Sequence, residues 1–123
     1  MSVSIVNSIA LVNKSAPYGS ANGQESLDLA LAAASFGQNV SLFFIDDGVF
    51  QLLNEQHPEA IDAKNYSKTF AALEFYDIEH IYVCEHSLNE RTIDLKELCI
   101  EVQVLKPEKL QEMLTKHKHI VSF

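Results

Sequence analysis

The chain has 123 residues, of which 47% are hydrophobic and 21% are charged. These fractions are typical of folded globular proteins and exclude a wholly disordered chain, so we expect one domain covering residues 1–123. Nine basic residues against seventeen acidic ones give a net charge of −8. Such a surface repels phosphate backbones, which argues against direct, non-specific binding of nucleic acid.

The amino-terminal segment predicts neither a secretory leader nor a membrane anchor. It lacks a basic region and a small-residue cleavage site. No apolar run in the chain approaches the ~20 residues needed to span a bilayer. We therefore expect a cytoplasmic protein in which the two cysteines, Cys84 and Cys99, stay reduced and free.

The first half of the chain predicts two strands and two helices. The strands cover Ser4–Val12 and Val40–Ile45, and the nearly continuous apolar run of the second is typical of a strand in a parallel sheet. Ala16–Ser20 predicts a turn, which leads into a helix over Asn22–Phe36 that ends at Gly37 as a C′ residue. A short helix follows at Val49–Leu53. The long helix is expected to bury Leu27, Ala30, Leu31, Ala34 and Phe36.

The second half of the chain continues this alternation of helices and strands. Helices are predicted over Tyr66–Phe75, Asp94–Leu98 and Glu108–His117. Strands are predicted over His80–Val83, Ile100–Leu105 and His119–Phe123. Together the pattern predicts a three-layer α/β/α sandwich around a mostly parallel, five-stranded sheet.

Cys84 is the main candidate for chemistry. It follows the His80–Val83 strand and precedes a polar turn, Glu85–Asn89, which would place a partly exposed thiol at the carboxyl end of a strand, where open parallel sheets bind ligands. A reactive thiolate needs nearby positive charge, which His86 and Arg91 would supply. The alternative is an inert structural thiol, and Cys99, at the edge of an apolar segment, is expected in the core.

Three other patterns favour structural explanations over binding sites. Cys84, His80 and His86 do not have a recognised zinc spacing, and His57, His117 and His119 are expected at the surface or in turns. Asp46-Asp47 follows a strand, as in acidic magnesium sites, but a helix cap is the preferred interpretation. The Pro17–Ser20 turn lacks a phosphate-binding motif and is interpreted as a tight connection.

The short helix at Val49–Leu53 also carries a candidate interface. Phe50, Leu52 and Leu53 are large apolar residues in a short element beyond a loop. Most large apolar residues of a chain this size belong to the core, and the alternative for these three is a patch that contacts another chain.

Three segments of the chain resemble one protein family. They are Ala16–Gly19, residues 43–53 (FFIDDGVFQLL) and residues 76–94 (YDIEHIYVCEHSLNERTID). In combination they are similar to the DsrE/DsrF family of sulfur-relay proteins, and most of all to its C-type, DsrF-like subunits. The resemblance extends from the first predicted strand to the last.

The resemblance implies an assembly as well as a fold. It implies five parallel strands between helices, no metal or organic cofactor, and a cytoplasmic heterohexamer with paralogous TusB- and TusD-like (DsrH- and DsrE-like) subunits. In such a complex, persulfide sulfur passes to a downstream sulfur carrier protein and ends as the 2-thio group of a tRNA wobble uridine.

For single residues the resemblance implies that Cys84, the only catalytic candidate, occupies the position of the sulfur-accepting cysteine of the D-type subunit. The C-type subunit is usually the non-carrier, and the acidic neighbours Glu85 and Glu90 fit that role because they disfavour a thiolate. We therefore expect mainly an assembly subunit. The alternatives are a DsrF-type subunit of intracellular sulfur oxidation and a stand-alone sulfurtransferase that accepts persulfide on Cys84.

Overall fold

The computed structural model describes residues 5–16, 22–53 and 72–123. The strands are β1 (Ile5–Asn13), β2 (Asn39–Phe44), β3 (His80–Cys84), β4 (Gln103–Leu105) and β5 (His117–Ser122). The α-helices are α1 (Asn22–Ser35), α2 (Glu85–Glu90) and α3 (Pro107–Thr115), with 3₁₀ helices at Asp46–Leu52 and Leu95–Glu97. Residues 72–75 are also helical. The rest of the predicted Tyr66–Phe75 helix, the Pro17–Ser20 turn and His57 lie outside the described residues.

The strands form one parallel sheet in the order β4-β3-β2-β1-β5. Helical residues lie on both of its faces, so the predicted three-layer α/β/α architecture with five parallel strands is confirmed. Each strand contains β-branched, leucine or aromatic residues, which suit a pleated surface buried by packing. The chain steps from β1 to β4 in one direction and then crosses to the far side of β1 for β5.

Each face of the sheet has its own core. On the α1 face, Leu11, Phe44 and Val83 pack with Leu27 of α1 and Leu88 of α2. On the α3 face a smaller core contains Ala10, Val12, Phe43, Tyr82, Cys84 and Leu110. The period of two along a strand explains this division, because alternate residues of β1, β2 and β3 point to opposite faces.

The end of α1 confirms one prediction and corrects another. Gly37 has φ of 82°, its N–H bonds to the Ala34 carbonyl, and the N–H of Gln38 bonds to the Ala33 carbonyl. This is the pattern of a helix that ends with glycine at C′. Phe36 therefore lies in the terminating turn and is 86% exposed, so the prediction that it faces the core is wrong.

Several observed boundaries differ from the predicted ones. The expected polar turn after Cys84 is instead the helix α2, which buries Ser87 and Leu88. The last helix ends at Thr115 rather than His117, and His117 begins β5. β4 is shorter than the predicted Ile100–Leu105 strand. Nevertheless Ile100, Val102 and Val104 all pack against the α1-face core, as their alternation predicts.

Candidate functional site

Cys84 lies at the carboxyl end of β3, as predicted, but its thiol is not partly exposed. The residue is only 7% exposed and belongs to the α3-face core with Tyr82 and Leu110. Its strand neighbour in the ladder is Leu105, the last residue of β4, two residues before α3. The predicted exposure is wrong because α3 packs over this side of the sheet.

The two basic side chains expected to favour a thiolate, His86 and Arg91, both lie against carboxylates. The Nε2 atom of His86 lies 3.2 Å from Glu90 Oε1, with both side chains mostly exposed. Arg91 donates from Nε and Nη2 to the Oδ1 atom of Asp47, at 3.1 and 3.0 Å. Cys84 is the N-cap residue of α2, but its side chain makes no capping hydrogen bond. Both basic side chains are therefore already engaged by carboxylates on the surface around α2.

Arg91 organises a set of contacts that we call the Arg91 cluster: Asp46, Asp47, Ser87 and Arg91. In addition to Asp47, Arg91 binds the Ser87 carbonyl at 3.2 Å, while Ser87 Oγ accepts from the Asp46 N–H at 2.9 Å. The guanidinium also lies 5.9 Å from the centre of the Phe50 ring. These contacts hold the segment after β2 against the helix after β3.

The Arg91 cluster corrects the interpretation of Asp46-Asp47. The N-cap of the Asp46–Leu52 helix is Ile45, and the cap has no side-chain hydrogen bond. Asp47 instead pairs with a cation, and Asp46 adopts φ of 49°. Within the described ranges, no group of three His, Cys, Asp or Glu side chains is placed to hold a metal ion.

Of the two alternatives for Phe50, Leu52 and Leu53, the interface patch is wrong. Leu52 and Leu53 are 0% and 1% exposed and belong to the α1-face core, and Phe50 is half-buried. Cys99 packs against the same core, and its N–H donates to the Leu52 carbonyl at 2.7 Å. The large apolar side chains exposed in the described structure are elsewhere: Phe36, Phe75, Tyr76, Leu95 and Ile120.

His117 has a structural position that the sequence did not indicate. It was expected at the surface or in a turn, but it is half-buried at the start of β5. Its Nδ1 lies 3.0 Å from the Met113 carbonyl, and its Nε2 lies 2.8 Å from Ser41 Oγ. A carbonyl can only accept, so we assign the proton of the neutral ring to Nδ1, and Nε2 accepts from the Ser41 hydroxyl.

The burial of His117 affects its titration. Desolvation lowers the pKa of the imidazole below its ordinary value, and the nearby His80 contributes in the same direction. The carbonyls of Met113 and Leu114 oppose this shift, because they stabilise an N–H donor. The neutral ring is therefore favoured in the folded protein.

Aromatic rings connect His117 to β3 on the α3 face. The edge of His117 contacts Phe43 at 5.7 Å between centroids, and Phe43 lies 5.0 Å from Tyr82. Tyr82 stacks on His80, with its hydroxyl 3.4 Å from His80 Nδ1. Burial raises the pKa of Tyr82. We refer to Ser41, Phe43, His80, Tyr82 and His117 as the ring cluster.

An open groove lies on the other side of α2, at the β4 edge of the sheet. Its volume is about 760 Å³, and it is lined by residues of α2, the Leu95–Glu97 helix and β4. Glu85, Asp94 and Glu97 make it acidic, while Leu88 and Ile93 form an apolar floor. The sequence did not reveal this groove, because its walls meet only when β4 pairs with β3.

The described residues contain no helix long and apolar enough to cross a membrane.

The sheet is open and parallel, has helices on both faces and carries a cysteine at the carboxyl end of an inner strand. These features define the class of open-sheet α/β proteins, in which ligands bind at the carboxyl ends of the strands. The chain belongs to the DsrE/DsrF-like family, whose sequence pattern matches residues 7–123.

Individual relatives agree with this assignment. The chain is 37% identical to a "Protein TusC homolog" of Aliivibrio fischeri over 96% of this chain and 100% of the relative. It is 39% identical to a "Protein TusC homolog" of Vibrio vulnificus over 89% and 93%.

Solved structures share the fold at lower sequence identity. The crystal structure of the ychN protein from E. coli matches with a TM-score of 0.79 and 23% identity, over 96% of this chain and 100% of that one. A protein of unknown function from Methanobacterium thermoautotrophicum matches with a TM-score of 0.63 and 12% identity, over 93% and 96%.

Proposed function

We propose that this chain is a subunit of a cytoplasmic sulfur-relay complex that passes persulfide sulfur toward the 2-thio group of a tRNA wobble uridine, and that its own role is mainly to build the complex. The observation that carries the proposal is similarity at 37–39% identity, over nearly the full chain, to proteins named as TusC homologs. Membership of the DsrE/DsrF-like family supports the same class of function.

The environment of Cys84 supports an assembly role. Sulfur transfer requires direct contact between the thiolate and a donor persulfide, and Cys84 is only 7% exposed. The flanking Glu85 and Glu90 bring negative charge to the same helix, and His86 and Arg91 are paired with carboxylates.

The proposed partners are the TusB- and TusD-like (DsrH- and DsrE-like) subunits in a heterohexamer, together with a downstream sulfur carrier protein. Exposed large apolar residues support the presence of protein partners: Phe36 and Phe75 are 86% and 84% exposed. The net charge of −8 supports a role without direct RNA contact, because the partners would have to supply the basic surface.

Co-expression tests the proposal. The chain is co-expressed with the TusB- and TusD-like proteins of the same organism, one of which carries an affinity tag. Native mass spectrometry then measures the mass of the purified complex. We expect this chain to co-purify in a hetero-oligomer of fixed stoichiometry. Detection of this chain only as a 13.8 kDa monomer, while the TusB- and TusD-like proteins are folded, would contradict the proposal.

A second candidate function is sulfur carriage by Cys84 itself, and its position at the carboxyl end of β3 favours it. In that step the Cys84 thiolate attacks the outer sulfur of a donor persulfide. A new S–S bond forms at Cys84 while the donor's S–S bond breaks, and the donor leaves as a thiolate, so no oxidant is consumed.

Mass spectrometry distinguishes the two functions. The isolated chain is incubated with a persulfide donor at neutral pH, and Cys84→Ser and Cys99→Ser serve as the matched pair of variants. Carriage by Cys84 predicts a gain of about 32 Da, one sulfur atom, that Cys84→Ser loses and Cys99→Ser keeps. The assembly role predicts no such gain in the isolated chain.

A further inference from the structure

The helix α3 is the structural reason why Cys84 is buried. Among the described residues it is the only α-helix on its face of the sheet, and it packs there through Leu110, Met113 and Leu114. Leu110 is 6% exposed and shares a core with Cys84, whereas Gln111 and Glu112 face solvent. Removal of this helix from the sheet would expose the Cys84 side of β3.

The carboxyl end of α3 is attached to the sheet by a side chain. His117 donates a hydrogen bond to the Met113 carbonyl in the last turn of the helix and accepts one from the Ser41 hydroxyl of β2. It also packs edge-on against Phe43, which belongs to the same core as Cys84. One imidazole therefore connects the covering helix to the centre of the face that it covers.

We propose that α3 is a releasable cover over Cys84, held closed at its carboxyl end by the hydrogen bonds of His117 to Ser41 and Met113. In the closed state the thiol is inaccessible to a donor persulfide, and in the open state it is accessible. The inference rests on the second candidate function, sulfur carriage by Cys84, because it concerns the availability of that thiol.

The surroundings of His117 make the attachment sensitive to pH. The groups that face the ring are His80 on β3, with Tyr82 stacked on it, the neutral Ser41 on β2, and the carbonyls of α3. On its own segment the ring is flanked in sequence by Lys116 and Lys118. Protonation would place a cation in a half-buried site near a second histidine, and hydration of that cation favours the open state.

The test is alkylation of the full chain with N-ethylmaleimide, followed by mass spectrometry of the peptides that contain Cys84 and Cys99. Cys99 is half-buried and serves as the internal reference. Both thiols are alkylated in the same sample, so the ratio of the Cys84 rate to the Cys99 rate reports the access of the reagent to Cys84. We expect Cys84 to react about tenfold more slowly than Cys99 at pH 7.5 and the ratio to rise as the pH falls to 5.5.

Two matched pairs of variants test the attachment. His117→Asn should raise the ratio at pH 7.5 and remove its pH dependence, whereas His119→Asn, an exposed histidine on the same strand, should change neither. If His117→Asn does not fold, Ser41→Ala removes the same hydrogen bond and should raise the ratio about fivefold. Its control is Ser35→Ala, which removes an exposed hydroxyl bond at the end of α1.

Each possible result decides the proposal. Equal rates for Cys84 and Cys99 in the wild type at pH 7.5 would show that α3 does not cover the thiol. A ratio unchanged by both His117→Asn and Ser41→Ala would show that His117 does not hold the cover. These measurements need no partner and no sulfur transfer, so the cover can be refuted while the complex still forms, and the relay function can fail while the cover remains.

Discussion

Gly48 is the position at which a single methyl group should do most damage. A Cβ atom there would lie 1.9 Å from the carbonyl oxygen of Asn13 and 2.6 Å from its carbonyl carbon. Both atoms are backbone at the end of β1, where Asn13 is 0% exposed and its oxygen accepts the Ile45 N–H. The backbone of β1 or of the Asp46–Leu52 helix must therefore move, and we expect Gly48→Ala to lower the free energy of unfolding by about 3 kcal/mol.

Gly37→Ala is the matched control. Gly37 has no atoms within 4 Å of an added Cβ, but its φ of 82° lies in the left-handed region. An alanine there costs about 1 kcal/mol of backbone strain without any clash. Urea unfolding followed by circular dichroism measures both variants. If Gly48→Ala loses no more stability than Gly37→Ala, the close approach of the 3₁₀ helix to β1 is wrong.

Three further predictions concern the covering helix and the two clusters. Leu110→Ala should lower the free energy of unfolding, measured with urea, by about 2–4 kcal/mol, because it leaves a cavity in the core beneath α3. The same cavity should speed alkylation of Cys84. Arg91→Ala should lower the free energy of unfolding by about 1 kcal/mol, because the bond to the Ser87 carbonyl is lost. The loss should be smaller at 1 M salt, because Asp47 is 57% exposed and salt screens its pairing with Arg91. The lowered pKa of His117 means that the unfolded chain binds more protons, so the urea midpoint should fall as the pH drops below about 6.5, and His117→Asn should flatten this dependence.

The strands of this fold could be predicted because their signal is local. Runs such as Val40–Ile45 and residues 81–83 are apolar and β-branched or aromatic, and their alternation with helical segments predicts a parallel sheet. Gly37 was placed correctly at the helix end for the same reason. Phe36 was not, because helical periodicity does not show that the helix stops one residue earlier.

The environment of the candidate site could not be predicted, because it depends on which helix covers which face. The place of Cys84 at a strand end follows from the sequence, but its burial follows from α3, a helix more than twenty residues later. The pairing of Arg91 with Asp47 joins residues 44 positions apart, and that of His117 with Ser41 joins residues 76 apart. No periodicity or motif relates such positions.

The most direct test of the account is the 2-thiouridine content of tRNA in native cells that lack this chain, measured by mass spectrometry of nucleosides. We expect the modification to disappear and to return when either the wild-type chain or Cys84→Ser is supplied. Restoration by the wild type alone would assign sulfur carriage to Cys84 and contradict the assembly role. An undiminished 2-thiouridine content in cells without the chain would contradict the relay function itself.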